Sequence, residues 1–495
     1  MLHLKNILYI NRNSYRSIYL QICDQFITLI KTGKLLPSTR LPGTRKLSED
    51  LTIHRKTVIA AYAELEIQGW IETIPSKGTF VSKTLPIIKP QDLKSEKVTE
   101  KNIISTNFTF NTNQNLSNYP DKENSNPPKL KVNDGSPDHR LAPLDEVAKV
   151  YRNITKKNFN RDLIAYNDPK GNLTLRRELV KFLNDTRGLN CAVDNILITR
   201  GSQMGIYLAS QILFDQQQTI VVGNTNYLTA DNTFRLCNAQ VMFVTVDKQG
   251  IDTDELNALC EKAEIRAVYV TPHHHHPTTV TLSAERRMHL LELSKKYNFA
   301  IIEDDYDYDF HYDHAPILPL ASNDIYGNVI YIGGFTKIIA PGLSIGYMVA
   351  PKDFIDEASK LRRVIDRQGD ELLEKSIAKM ISTGDIHRHI NKTLKMYKER
   401  RNLFCDLLKE KLSSYFTFEI PRGGMAIWIQ LNKNHSWDYI INESAQRGLE
   451  LNPEWRRYDP NNLNHNGIRL GFASLNEQEI LEVVEILEEI FSLQN

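Results

Sequence analysis

A single lysine, Lys337, sits where an amine can be put to chemical use. It follows Val329-Ile330-Tyr331-Ile332, a β-branched and aromatic run, then Gly333-Gly334 and Phe335-Thr336, and it precedes a Pro-Gly turn and a second apolar run. A lysine just beyond a buried strand can reach into a cavity, where loss of solvent lowers its pKa and frees the amine for Schiff-base chemistry. Taken alone it would be an ordinary solvated loop residue. Upstream, however, Ile301-Ile302-Glu303-Asp304-Asp305-Tyr306 ends another buried strand in carboxylates. A carboxylate that keeps a pyridine nitrogen protonated, facing an amine that holds an aldehyde, is the pair pyridoxal phosphate requires.

Further strands must converge on the same place. Ile196-Leu197-Ile198-Thr199 reads as a strand that turns through Arg200 into a helix, and the backbone amides of Gly201, Ser202 and Gln203 at its start would cradle a phosphate. Thr336 can add its hydroxyl. Without Lys337 the same turn would be only a helix cap. Thr219 to Val222 and Val268 to Thr271 are two more buried strands, the second running into His273-His274-His275-His276. Four adjacent histidines invite a metal, but neighbours in an extended loop point alternately apart and no Cys, Asp or Glu stands beside them, so no metal is expected. Beyond the lysine, helical stretches alternate with strands around Phe416 to Ile420 and Met425 to Leu431 and with Gly467-Ile468-Arg469-Leu470-Gly471-Phe472, forming a small C-terminal α+β subdomain.

Sixty-one basic against sixty acidic residues give a formal charge of +1, which by itself says nothing about nucleic acid. Their distribution says more: up to Leu85 there are twelve Lys or Arg and six Asp or Glu. In that basic segment Ile18 to Thr32 has helical apolar spacing. A second helix starts at a Thr44 N-cap, and a third from His54 buries Val58, Tyr62 and Leu65 while crowding His54, Arg55, Lys56 and Thr57 into its first turn. Trp70 to Ile74 followed by Pro75 to Val81 reads as two short strands joined by a basic turn that includes Lys77, which makes a wing. This is a winged helix-turn-helix, which presents the start of its last helix to a DNA major groove. Five cysteines without ligand spacing suit a reducing, cytoplasmic setting, and no apolar run is long enough to cross a membrane. The expected domains are residues 1–84 (winged helix-turn-helix), 85–131 (a flexible polar linker) and 132–495 (the cofactor-binding body).

The pieces EDDYDYDF, GGFTKIIAPGLSIGY, YNDPKGNLTLRREL, TRGSQ and GIRLGFA together resemble the MocR-type branch of the GntR transcription regulators. The resemblance implies a GntR winged helix linked to a fold-type-I aminotransferase-like domain, with a large α/β part built on a mixed sheet and a small C-terminal part. It implies pyridoxal 5'-phosphate as cofactor. Asp304 would meet the pyridine nitrogen, Tyr306 and His274 the ring oxygen, and Tyr227 would stack on the ring. Tyr166 either reaches the phosphate of a neighbouring subunit's cofactor or simply packs. Arg469 either forks onto an effector carboxylate or makes a rim salt bridge. The family's DNA-contact positions fall on Arg45, Arg55, Thr57 and Gly78, to which charge and position add His54, Lys56 and Lys77; Arg55 would touch a base edge or a phosphate. The expected partners are a double-stranded DNA operator, PLP or an amino compound as effector, and a second copy of the chain in a head-to-tail homodimer. A departure stands at Ser344, where the family has an arginine; one lost charge-assisted phosphate contact is worth roughly 1.5–3 kcal/mol. The expected function is a PLP-responsive transcription regulator, and the alternative is a working aminotransferase with an accessory DNA-binding head.

Overall fold

The computed structural model describes residues 7–85, 109, 129–156, 163–313, 317–451 and 466–493. The linker expected over 85–131 lies outside the described residues except at Leu85, Thr109 and 129–131. The chain divides into two compact units, Met1–Asn111 and Thr112–Asn495.

In the first unit α1 (Ile18–Lys31), α2 (Thr44–Leu51) and α3 (Arg55–Ile67) precede an antiparallel hairpin, β1 (Ile71–Ile74) and β2 (Gly78–Val81). The helical spacing of Ile22, Phe26, Val58, Tyr62 and Leu65 places them in one core with Leu47. Phe26 and Tyr62 meet edge to face at 5.9 Å, and the Tyr62 hydroxyl donates to the Pro42 carbonyl. One cap differs from the expectation: Gly43, in extended backbone, is the N-cap of α2, and Thr44 is its first helical residue.

The second unit opens with β3 (Leu130–Lys131), α4 (Leu144–Lys156) and α5 (Leu173–Arg187). Strand and helix then alternate through β4 (Ile196–Thr199), α6 (Gly201–Leu213), β5 (Thr219–Asn224), α7 (Leu228–Leu236) and β6 (Gln240–Asp247). After β7 (Gly250–Ile251) and α8 (Thr253–Cys260) come β8 (Ile265–Val270), α9 (Ala284–Tyr297), β9 (Ala300–Asp305), β10 (Val329–Gly334) and β11 (Gly346–Val349). The order across the sheet is β4-β11-β10-β9-β8-β5-β6-β7. From β10 to β6 the neighbours are parallel, whereas β11 and β7 run against theirs, which makes the sheet mixed.

Both faces are covered, so the strands read as unbroken apolar runs. Alternate residues divide between the two sides. Ile220, Val222, Tyr269, Ile302 and Ile332 pack with Ile206 and Ala209 of α6 and Phe234 of α7, while Val221, Val268 and Ile301 pack with Leu256 of α8 and Leu290 of α9. Three helices, α10 (Lys352–Ile365), α11 (Glu371–Ser382) and α12 (Asp385–Leu412), lead to β12 (Phe416–Phe418), β13 (Ala426–Leu431), α13 (Trp437–Gln446), β14 (Leu449–Glu450), β15 (Gly467–Gly471) and α14 (Glu477–Ser492). β12, β13 and β15 form a small antiparallel sheet in which Arg469 lies opposite Trp428. Leu130 and Lys131, assigned to the linker from composition, pair in parallel with Leu449 and Glu450. The ordered body thus begins before residue 132, because its first strand finds its partner more than three hundred residues away, beyond the reach of any local pattern.

Gly346 holds the junction between β11, β4 and the start of α6. A Cβ there would stand 2.5 Å from the Gly201 carbonyl carbon and 2.8 Å from Thr199 Oγ1. Main chain cannot swing aside as a side-chain tip can. Gly346→Ala is expected to cost about 2 kcal/mol or more, read as a lower urea midpoint.

Candidate functional site

The C-terminal ends of the parallel strands deliver the expected residues to one edge of the sheet, the place where open α/β sheets bind ligands. β9 ends in Asp304 and Asp305 and is followed by Tyr306; β10 ends at Gly334, with Thr336 and Lys337 beyond it. β4 runs through Arg200 into α6, so Gly201, Ser202 and Gln203 form that helix's first turn. A Cβ on Gly201 would lie 3.8 Å from Thr336 Cγ2, so the helix start and the threonine are neighbours. The amides of that turn and the Thr336 side chain are thereby brought to one spot. The Gln203 side chain is engaged separately, its Nε2 donating to Thr233 Oγ1 at 2.6 Å.

Lys337 is half-buried, and its Nζ donates to the Gly135 carbonyl at 2.7 Å. Burial lowers its pKa from the ordinary lysine value, with Asp134, Asp307 and Asp304 pulling the other way. Asp304 is almost fully buried. Its Oδ2 accepts from the Tyr269 hydroxyl at 2.8 Å, and its Oδ1 has no donor. A buried carboxylate oxygen left unmatched is costly unless a ligand supplies the proton. The N–H of a pyridinium ring is such a donor, and with Lys337 alongside, these residues fit pyridoxal phosphate.

Burial raises the Asp304 carboxyl to about 7, and Asp305 and Asp307 add to the rise. Between about pH 4 and about pH 7 the folded protein therefore keeps a proton that the unfolded chain has released, and stability falls as pH rises through that window. Asp304→Asn removes this loss. Without cofactor the variant is expected to match the native chain near pH 4 and to exceed it by on the order of 2–4 kcal/mol near pH 8, measured by urea unfolding. An unchanged pH profile would show that Asp304 is not the protonated group.

The histidine run is resolved differently from the expectation. His274, expected at the ring oxygen, turns its ring away: Nδ1 pairs with Asp307 Oδ1 at 2.8 Å, and the ring lies 4.8 Å from that of His311. Its backbone carbonyl accepts from the Tyr306 hydroxyl at 2.8 Å. The His276 ring lies 5.0 Å from that of Tyr227, and its Nε2 is 3.6 Å from Asp134 Oδ2. Burial lowers its pKa to about 4, so it is uncharged near neutral pH. His273 lies 3.1 Å from Asp305, and His275 bonds Thr278. The end of β9 and the turn after it thus supply, in Asp305 and Asp307, the carboxylates missing from the run's own neighbourhood. Among the described residues no group of three His, Cys, Asp or Glu is placed to hold a metal ion.

Asp305, Asp307 and Asp309 serve the fold. They pair with Tyr331 and His273, with His274, and with Arg187 respectively. Arg469, 1% exposed, donates Nε to the Asp134 carbonyl at 2.8 Å and Nη1 to the Pro277 carbonyl at 3.0 Å, and its Nη2 is 3.3 Å from the Tyr306 hydroxyl. It therefore belongs to the Lys337 chamber and not to a rim. Asp134 and Gly135 join the same chamber although nothing in the sequence marks them. Tyr166 lies elsewhere, 74% exposed with the Arg367 guanidinium 4.1 Å above its ring. Ser344 is exposed and bonds back to the Pro341 carbonyl.

In the first unit Arg45, His54, Arg55 and Lys56 are exposed at the starts of α2 and α3, and Lys77 is exposed at the wing turn. His54 caps α3, its Nδ1 accepting from the Lys56 amide, while Arg55 Nε rests 3.4 Å from Thr44 Oγ1. Thr57 is half-buried. At the wing tip Gly78 has φ +114, and a Cβ there would meet Arg40 Nε at 3.3 Å. Arg40, absent from the sequence-derived set, bridges to Phe80 and brings its charge to the wing. Only the pairing reveals this, because the residue precedes α2 in sequence.

The aminotransferase class I and II family matches residues 127–487, and the bacterial regulatory gntR family matches residues 18–81. The chain belongs to the MocR type of GntR regulators. Its similarity to the probable rhizopine catabolism regulatory protein MocR of Rhizobium meliloti, 24% identical, covers 98% of this chain and 96% of that one. The transcriptional regulator TauR of Rhodobacter capsulatus is 26% identical, with 92% of each chain covered. Among solved structures, kynurenine aminotransferase of Pyrococcus horikoshii, in complex with PMP, matches with TM-score 0.68 and 26% identity over 74% of this chain and 91% of its own. The enzyme aligns with the body of this MocR-type chain, whereas the regulators align through the head as well. The chain is thus a DNA-binding regulator with an aminotransferase-like domain. Among the described residues no helix is long and apolar enough to cross a membrane.

Proposed function

We propose that this regulator holds pyridoxal phosphate on Lys337 and changes its grip on an operator when the cofactor, alone or with an amino compound, occupies the chamber. The supporting observation is the pairing, on one chain with a DNA-reading head, of a buried carboxylate oxygen lacking a donor with a partly desolvated lysine amine. When bound, the cofactor supplies an aldehyde that condenses with amines and a ring that withdraws electrons from the resulting linkage.

The chain's own residues do the rest. Asp304, steadied by the Tyr269 hydroxyl, takes the ring N–H; Tyr227 covers the ring; the first turn of α6 and Thr336 receive the phosphate. His276, neutral and beside Tyr227, is the side chain nearest the role first given to His274. Lys337 keeps its amine available because burial weakens its hold on a proton. Arg469, fixed by two carbonyls, offers charge to a ligand entering the chamber. Ser344 makes no contact of that kind, so phosphate retention rests on α6 and Thr336.

The working assembly is a head-to-tail homodimer in the cytoplasm, with two reading heads on paired half-sites. Exposed Ile164, Tyr166, Val364 and Ile365 support an interface on that face, from which Tyr166 would reach a partner's phosphate. Ligand shifts DNA binding only if it favours one arrangement of the two units. The test is operator retention with and without pyridoxal phosphate and a panel of amines, alongside turnover with a keto-acid acceptor. Altered retention with a single spectral change supports the regulator. Sustained turnover with unaltered retention would favour the aminotransferase alternative.

A further inference from the structure

The carboxylate of Asp134 has no part in holding the cofactor, yet it stands in the wall of the same chamber. Its Oδ2 is 3.6 Å from His276 Nε2, its own carbonyl takes Arg469 Nε, and the carbonyl of the next residue takes the Lys337 amine. The Asp134 side chain is 43% exposed, whereas Arg469 is sunk behind it. The acid is therefore the more accessible of the two.

Burial works to raise the Asp134 carboxyl, yet His276, Lys337 and Arg469 together hold it below the usual range, so this acid and the Arg469 cation act on each other. A ligand carboxylate approaching Arg469 meets Asp134 as a competitor for the cation and as a like charge. His276 does not neutralise the acid near pH 7, being uncharged there. An ammonium group on the far side of the ligand gains an ion pair that a methyl group in its place does not.

We propose that Asp134 selects ligands carrying a second cationic group besides the reacting amine, the class to which diamines and basic amino acids belong. The inference rests on the reading of Lys337 as the cofactor-bearing amine. Its test uses the full chain loaded with pyridoxal phosphate and follows the absorbance of the bound chromophore during titration. The probes are matched pairs differing only in a terminal amine, ornithine against norvaline and putrescine against butylamine.

The diamino member is expected to half-saturate at about ten-fold lower concentration in at least one pair. Preference in the first pair shows that a carboxylate is tolerated, and preference in the second that none is needed. In Asp134→Asn the same ratio should fall to about one, and because only the ratio is compared, a general loss of affinity cancels. Equal half-saturation within both pairs of the native chain, or a preference that survives in Asp134→Asn, overturns the assignment. Absence of any borohydride-trapped label on the native chain would instead strike the cofactor reading on which it rests.

Discussion

Lys337→Ala is expected to abolish covalent capture of pyridoxal phosphate. After borohydride reduction and peptide mapping, the native chain should carry the label at position 337 and the variant should carry none. The expected effect is complete because the reaction needs an unprotonated amine inside the chamber, and a methyl group has no nucleophile to offer. Exposed lysines stay protonated near neutral pH and bind the aldehyde only weakly, whereas Lys337 has its pKa lowered by burial. The variant also frees the Gly135 carbonyl, the acceptor of the lost amine. Some loosening of the 133–137 turn should accompany the chemical loss, and Lys337→Arg separates the two. It restores a donor near Gly135 without restoring the nucleophile, so it should recover stability but not labelling. A reduced label at another lysine in either variant would move the site.

The candidate groups for the chemistry were legible because they stand at strand ends, and strand ends are marked by local signals. Val329 to Ile332 and Ile301 to Ile302 are apolar on both faces of the sheet, so each run identifies a central strand and its last residues fall at the ligand edge. Gly201 to Gln203 were legible for the same reason, as the turn from a strand into a helix. The histidine run was not. Four identical residues give no register, and the chain after Pro272 bends, so alternation along an extended strand does not apply. His276, not His274, reaches the chamber. Asp134 and Gly135 were invisible because their importance comes from Lys337 and Arg469, two hundred or more positions away. Arg40 was hidden likewise by its pairing across to Phe80. A sequence pattern reports what a residue does to its neighbours in the chain, and these four act on neighbours in space.

Arg55→Ala is expected to weaken operator binding by about ten- to a hundred-fold per head and to leave borohydride labelling of Lys337 intact. Arg55 is the first residue of α3, exposed, and its nearest partner of its own is the Thr44 hydroxyl at 3.4 Å. Among the described residues Arg55 makes no ion pair, so the loss falls on DNA and not on the fold. The position also lies where the positive end of the helix dipole reinforces a guanidinium aimed at phosphate or at a guanine edge. The two targets differ in outcome. If Arg55 holds a phosphate, retention should fall equally on operator and random duplex, and the slope of log affinity against log salt should drop by about one per head. If it pairs with a base, the loss should be confined to the operator and vanish when the contacted base pair is changed. A dimer with two heads carries the effect twice, so the measured loss should approach the square of the single-head value, and a loss no larger than one head's would argue against paired half-sites. Retention equal to that of the native chain on every duplex would remove α3 as the reading helix, and with it the means by which events at Lys337 reach DNA.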